Sequence, residues 1–170
     1  MTLRELTIEE FKEHSGNYDS QSFLQTPEMA KLLEKRGYDV RYLGYQVENK
    51  LEIISLSYIM PVTGGFQMKI DSGPVHSNSK YLKQFYKALQ GYAKSNGVLE
   101  LIVEPYDDYQ LFTSSGVPSN QGTFDGSDSI LRFKQNFNGY IIRKMGTFNY
   151  YPSPFKYKGI QLLKKVLKRN

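Results

Sequence analysis

The sequence predicts an α+β fold built on a mixed sheet flanked by helices, and three observations predict it. Residues 39–47 alternate and residues 51–59 are rich in Leu and Ile, with Glu48-Asn49-Lys50 between them, the pattern of an antiparallel hairpin. Residues 79–94 repeat apolar side chains every three or four positions, the period of an amphipathic helix. Residues 98–103 are apolar at every position except Glu100, as in a central strand covered on both faces. Hairpins first and one strand–helix–strand crossover after them make the class α+β.

The elements follow in order. Thr7 and Glu10 stand at N-cap and N3 spacing, a capping box that predicts a short helix from Ile8 to His14, ending at Ser15-Gly16-Asn17. Ser22-Phe23-Leu24-Gln25 reads as a short extended piece. Thr26-Pro27-Glu28 supplies an N-cap, a proline at N1 and a first-turn acid, so a second helix starts there. Met29, Leu32 and Leu33 give it one apolar face, and Lys35, Arg36 and Gly37 supply a basic last turn and a C′ glycine.

In the strand over 39–47, Val40, Tyr42 and Leu43 are expected to point inward, and the next strand is expected to break at Pro61 and Gly64-Gly65. A third strand, 66–70, sets Phe66, Met68 and Ile70 on one side. Ser72-Gly73-Pro74 then forces a turn. The helix over 79–94 turns Leu82, Phe85, Tyr86, Leu89, Tyr92 and Ala93 inward and is stopped by Asn96-Gly97. Beyond the central strand, Glu104-Pro105-Tyr106-Asp107-Asp108-Tyr109 opens a loop, and residues 113–129 are loop-like in composition. Residues 160–168, with Leu162, Leu163, Val166 and Leu167, form a basic amphipathic helix.

Composition narrows the chemistry. A length of 170 residues suits one domain of ordinary size. The absence of Cys removes disulfides, zinc knuckles, iron–sulfur ligation and Cys nucleophiles. His14 and His76 are too few for a His-rich metal site and read as surface polar residues. No apolar run approaches the ~18 residues of a membrane span. The N-terminus lacks the basic-then-apolar order of a signal peptide, so a cytoplasmic protein is expected.

The net charge of +5 is unevenly spread. Residues 1–128 hold twelve Lys and Arg against seventeen Asp and Glu, whereas residues 129–170 hold ten basic residues and no acidic one. Such a tail is read as a nucleic-acid or membrane-surface patch. It also lacks Ala and is rich in Phe, Ile, Lys, Asn and Tyr, residues of AT-rich codons, which fits an altered reading frame or a degraded gene end. The expected division is therefore a folded domain over 1–128 and an atypical basic tail over 129–170.

Several chemistries are weighed and found wanting. A CoA-dependent acetyltransferase needs a glycine-rich turn at a helix N-terminus to hold pyrophosphate, and nothing between Ile53 and Lys83 supplies one. P-loop, dinucleotide and zinc-hydrolase spacings are absent. Glu104, Asp107 and Asp108 lie at the end of the central strand, where ligands of α/β sheets bind, or they form a solvated acidic loop. Lys31, Lys35 and Arg36 either meet a phosphate or complement the helix dipole. Tyr81, Tyr86 and Tyr92 are packing residues.

In combination, three motifs resemble a known family. Phe23-Leu24-Gln25-Thr26 before a helix, Gly73-Pro74-Val75 after a strand, and Glu104-Pro105-Tyr106 followed by Tyr109-Gln110 have the order and spacing of the FemABX aminoacyltransferases. Leu32-Leu33-Glu34-Lys35-Arg36-Gly37 and Asn96-Gly97-Val98-Leu99-Glu100-Leu101 are similar to the MurN-type alanine-adding members. The resemblance covers about residues 1–112 and implies the first of two GNAT-like (acyl-CoA N-acyltransferase-like) domains, incomplete relative to the full family.

What the resemblance implies is a domain helping to transfer an amino acid from aminoacyl-tRNA to the lysine side chain of the peptidoglycan stem peptide. The precursor would be lipid II or UDP-MurNAc-pentapeptide, handled in the cytoplasm or peripherally at the inner face of the membrane. Lys31, Lys35, Arg36, Gly73, Pro74, Glu104, Tyr106 and Asp107 become the candidate precursor cleft, with no catalytic group assigned. Two departures are visible: Leu33 stands where many members have a lysine associated with the precursor's diphosphate, and Glu104 replaces an aspartate. Because members are much longer, a truncated relative is expected, inactive alone. A non-catalytic fragment that adheres to polyanions, and an acetyltransferase on the same fold, are the alternatives.

Overall fold

The structure, a computed structural model, describes residues 1–18, 21–106 and 146–167. Strand β1 (Thr2–Glu5) leads into helix α1 (Ile8–His14), a 3-10 turn (Phe23–Gln25) and helix α2 (Pro27–Lys35). Strands β2 (Asp39–Val47), β3 (Lys50–Val62), β4 (Gly65–Asp71) and β5 (Val75–His76) follow. A second 3-10 turn (Ser79–Tyr81), helix α3 (Leu82–Ser95), strands β6 (Val98–Glu104) and β7 (Phe148–Tyr150) and helix α4 (Pro154–Leu167) complete the order.

Among the described residues, seven strands form one sheet in the order β1-β2-β3-β4-β6-β7, with β5 paired to β3. Every pairing is antiparallel except β4 with β6. A parallel pair needs a crossover, and α3 supplies it. The expected α+β mixed sheet flanked by helices is therefore observed.

Both faces of the sheet are covered, which explains the near-continuous apolar character of β3. On one face, Leu43, Tyr45, Ile53, Met68, Ile70, Leu101 and Val103 pack with Phe85, Leu89 and Ala93 of α3. On the other, Ile54, Leu56 and Tyr58 pack with Phe11 of α1 and with Ala30 and Leu33 of α2. Consequently Val40 and Tyr42 lie on the α1–α2 face while Leu43 lies on the α3 face, rather than sharing one inward side.

The helix caps form as their residues dictate. Thr7 accepts from the Glu10 amide at 3.1 Å, and Glu10 accepts from the Thr7 amide at 2.8 Å. Thr26 caps α2 through the Met29 amide. The Glu48-Asn49 turn has φ of +48° and +65°, matching the primed turns that suit hairpins.

Other expectations are corrected. Residues 23–25 form a 3-10 turn, because Ser22 accepts from the Leu24 amide and curls the chain. Strand β3 runs through Pro61 to Val62; its last β2 partner is Ile59, so beyond that point it has a neighbour on one side only and a missing donor is tolerated. Leu32 and Phe66 face outward at 40% and 47% exposure. Helix α3 begins at Leu82, and α4 begins at Pro154. The loop-like residues 113–129 lie outside the described residues.

Residues of the basic tail contribute to the sheet. Tyr150, Asn149 and Phe148 pair with Leu101, Ile102 and Val103. Residues 147–167 pack with residues 1–106 as one compact unit. Ile160 of α4 lies over Gly64 (φ +90°), where any β-carbon would collide with the Ile160 side chain. Glycine is thus required twice over, by conformation and by contact.

Glu10 gives a pH-dependent prediction. Its carboxylate accepts two bonds from Arg4 (2.7 and 3.1 Å) and one from the Thr7 amide, which lower its pKa from 4.5 to about 2. A lowered folded-state pKa stabilises above the unfolded value, and that contribution is lost as pH falls through the folded one. Denaturant titrations should therefore show stability declining between pH 4.5 and about 2, with a shallower decline in Glu10→Gln.

Candidate functional site

A break in the sheet ladder organises the site. On one side of β3, β4 is the neighbour from Tyr58 to Val62 and β5 takes over only at Ile54 and Ile53. Among the described residues, the backbone between them has no strand beside it on that side. Gln25 fills the interval: its Oε1 accepts from the Leu56 amide at 2.7 Å. Its Nε2 donates to the carbonyls of Leu56 (3.1 Å) and Asp71 (2.8 Å). The side-chain amide thus stands in for a peptide of the missing strand and is wholly buried.

The 3-10 turn aims this side chain. The Gln25 amide donates to the Ser22 carbonyl at 2.9 Å, and Gln21 donates to the Gln25 carbonyl at 2.7 Å. Thr26 starts α2 immediately after. On the far side, a β-carbon at position 73 would sit 2.6 Å from Gln25 Cδ, so only glycine fits there. Ser72 has φ of +51° and the Gly73–Pro74 bond is cis. The Gly73 amide then donates to the Glu104 carbonyl at 3.1 Å, tying the corner to the end of β6.

A polar tip forms beside this junction. Asp71 and Glu104 are register partners at the ends of the parallel pair. The Tyr58 hydroxyl donates to Asp71 Oδ2 at 2.8 Å, and Tyr38 stacks on Tyr58 with ring centroids 5.2 Å apart. Burial, then the bond to Asp71, push the Tyr58 phenol's pKa well up, with Glu104 adding to the effect, so the hydroxyl keeps its proton. Leu24, Met29, Leu33, Leu56, Tyr58 and Asp71 enclose a small cavity of about 20 Å³. Asp71 is the carboxylate that lines this largely apolar hollow, which has room for about one water.

The FemAB family model matches residues 6–121 and 120–165. The chain belongs to the FemAB family. A comparison with curated proteins finds no match. Among solved structures, the crystal structure of FemX is similar over 80% of this chain and 31% of its own, at 16% identity and a TM-score of 0.54. The chain thus spans about a third of FemX, and that likeness concerns the fold. A ribosomal-protein-alanine N-acetyltransferase from Brucella melitensis biovar Abortus 2308 matches over 84% of this chain and 99% of its own, at 18% identity and a TM-score of 0.45.

In this FemAB-family chain, Gly73 and Pro74 are buried at the corner, and Glu104 and Tyr106 are exposed at the end of β6 and just beyond it. Asp107 and Asp108 lie outside the described residues. Lys31, Lys35 and Arg36 are exposed, since α2 buries Ala30 and Leu33 instead. Leu33 lines the cavity beside Asp71, which places an apolar group where the resemblance expects a lysine.

His14 and His76 are half-buried rather than surface residues. Tyr38, Tyr58 and Asp71 were not singled out by sequence reading. Tyr58 sits in an apolar run and reads as core, and only strand pairing brings it to Asp71. A second, more open groove of about 590 Å³ lies between the end of α1 and the start of α2, lined by Lys12, Ser15, Gln21, Phe23, Thr26 and Glu28 among others.

The clamp yields a two-part prediction. Gln25→Leu leaves buried backbone groups of Leu56 and Asp71 unpaired and should cost about 3–5 kcal/mol in urea unfolding. Gly73→Ala alone should be destabilising, and in a Gln25→Ala background its cost should shrink by at least about 1 kcal/mol, a coupling that a double-mutant cycle measures.

Proposed function

We propose that this chain is a precursor-holding domain of a peptidoglycan bridge-forming aminoacyltransferase. Family membership supports this class of activity, and the observation that carries the domain's role is the meeting of three motifs at one junction. Gln25, Gly73 and Glu104 are contiguous in space, and the acceptors of Asp71 and Glu104 stand at their edge.

The reaction is aminolysis of an aminoacyl ester. The stem-peptide lysine amine attacks the carbonyl carbon, a C–N bond forms, the ester C–O bond breaks, and the tRNA ribose oxygen leaves with a proton. Orientation of the two partners supplies much of the acceleration in such a step. Asp71 and Glu104 are suited to accept hydrogen bonds from an ammonium or from sugar hydroxyls. The hollow beside Leu33, about 20 Å³, is too small for a diphosphate, so the precursor's diphosphate would lie at the exposed Lys31, Lys35 and Arg36. The precursor is lipid II or its nucleotide-linked form, the amino-acid donor is aminoacyl-tRNA, and the site of action is the cytoplasmic side of the membrane.

The acetyltransferase alternative is disfavoured by the turn between β4 and α3. Gly73 is its one glycine, and the β-carbon position there is filled by the Gln25 amide. No spaced glycines remain to cradle a pyrophosphate. Adhesion of the basic tail to polyanions is supported by ten basic residues without an acid, and it requires no cleft.

Isothermal titration with UDP-MurNAc-pentapeptide should give saturable binding. Glu104→Gln should weaken it roughly tenfold, the loss of one charge-assisted hydrogen bond, with unchanged circular dichroism. Absence of heat up to about 1 mM ligand, a Kd range worth only ~4 kcal/mol, would remove the proposal.

A further inference from the structure

Helix α4 presents an unusual surface. None of its residues is buried; Leu162, Leu163, Val166 and Leu167 are 62–74% exposed and Phe155 is 90% exposed. The side that meets the sheet consists of Tyr157, Ile160, Gln161 and Lys164, all half-buried. At 3.6 residues per turn, Phe155, Leu162 and Val166 fall on one line, with Leu163 and Leu167 beside it. Lys158 and Lys165 border that stripe on one side, Lys156 stands at the N-terminal end of the line of Leu163 and Leu167, and the helix carries no acid. An exposed apolar stripe edged by lysines is the surface of a helix that lies in a lipid interface.

We propose that α4 docks this domain onto an anionic lipid surface, burying Phe155, Leu162, Leu163, Val166 and Leu167 among the acyl chains while Lys156, Lys158 and Lys165 meet the headgroups. The helix has 14 residues, about 21 Å at 1.5 Å per residue, against the roughly 30 Å of a hydrocarbon core, so it lies along the surface instead of crossing it. No helix among the described residues is long and apolar enough to span.

Charge selects this occupant over the others. A second copy would bring lysines of the same sign against one another. A nucleic acid would satisfy the lysines but leave the leucine stripe in water. An anionic bilayer satisfies both, since long lysine stems reach the headgroups from a helix sunk to the level of its apolar face. The inference rests on the helix alone and is independent of which precursor the cleft holds.

The test is co-sedimentation of the full chain with vesicles of phosphatidylcholine, with and without phosphatidylglycerol. The chain should sediment with the phosphatidylglycerol vesicles and weakly with the neutral ones. Each lysine near the surface is worth about fivefold, so Lys158→Glu with Lys165→Glu should lower partitioning by about 25-fold or more. Leu163→Ser with Leu167→Ser, at exposed positions that leave the fold unchanged by circular dichroism, should lower it by at least about tenfold. Failure to sediment with either vesicle overturns the proposal. So does sedimentation lost in the lysine variants but untouched in the leucine variants, which is adhesion by charge alone. A concentration-dependent dimer abolished by the leucine variants, without vesicle binding, assigns the stripe to a second copy instead.

Discussion

Buried backbone must be paired, and at one place in this sheet no strand among the described residues does it. The edge of β3 passes from β4 to β5 across an interval centred on Leu56, and the Gln25 side chain bonds both backbone groups of that residue. A glutamine is suited because its amide has the donor and acceptor of a peptide on a tether long enough to reach across from the turn before α2. Much of the neighbouring geometry follows from that placement. The third bond, to the Asp71 carbonyl, fixes the end of β4, and the space taken by the amide excludes any side chain at position 73.

From there the constraint reaches the polar tip. With position 73 held against the glutamine, its amide points at the Glu104 carbonyl and locks the turn to β6. Asp71 and Glu104 are then neighbours by register, and Tyr58 secures the first of them from inside the core. Three short sequence motifs separated by tens of residues are thus parts of one contact. That explains why each is unpersuasive alone and why they carry meaning as a set.

Local signals were the legible ones. The capping box at Thr7 and Glu10 gave α1 its limits, Thr26-Pro27-Glu28 gave α2 its start, and the 3–4 spacing from Leu82 to Ala93 picked out the buried face of α3. Strand β1 was not legible, because Arg4 and Glu5 make Thr2–Glu5 look like a polar terminus, although Arg4 pairs with Glu10 and Glu5 with Arg41 where β1 joins β2. Strand β7 was hidden by its brevity, its pairing set by distant β6. In β2, reading one inward face failed because helices cover both sides of the sheet.

The site was legible only as motifs, and its chemistry required long-range pairing. Gln25 bonds residues 31 and 46 positions away, and no periodicity marks a polar side chain that replaces a strand. Gly73 and Glu104 were singled out by position, while Tyr58 and Asp71 became visible through the register of β3 against β4.

Amide hydrogen exchange at Leu56 tests the central claim most directly. If Gln25 completes the ladder, the Leu56 N–H should be protected as strongly as the surrounding β3 amides in the parent protein. In Gln25→Ala it should then exchange far faster, while the amides of Leu43 and Tyr45 in β2 keep protection set by global stability. Equal protection of Leu56 relative to those neighbours in both proteins would mean that another group pairs that backbone, and the account built on Gln25 would be wrong.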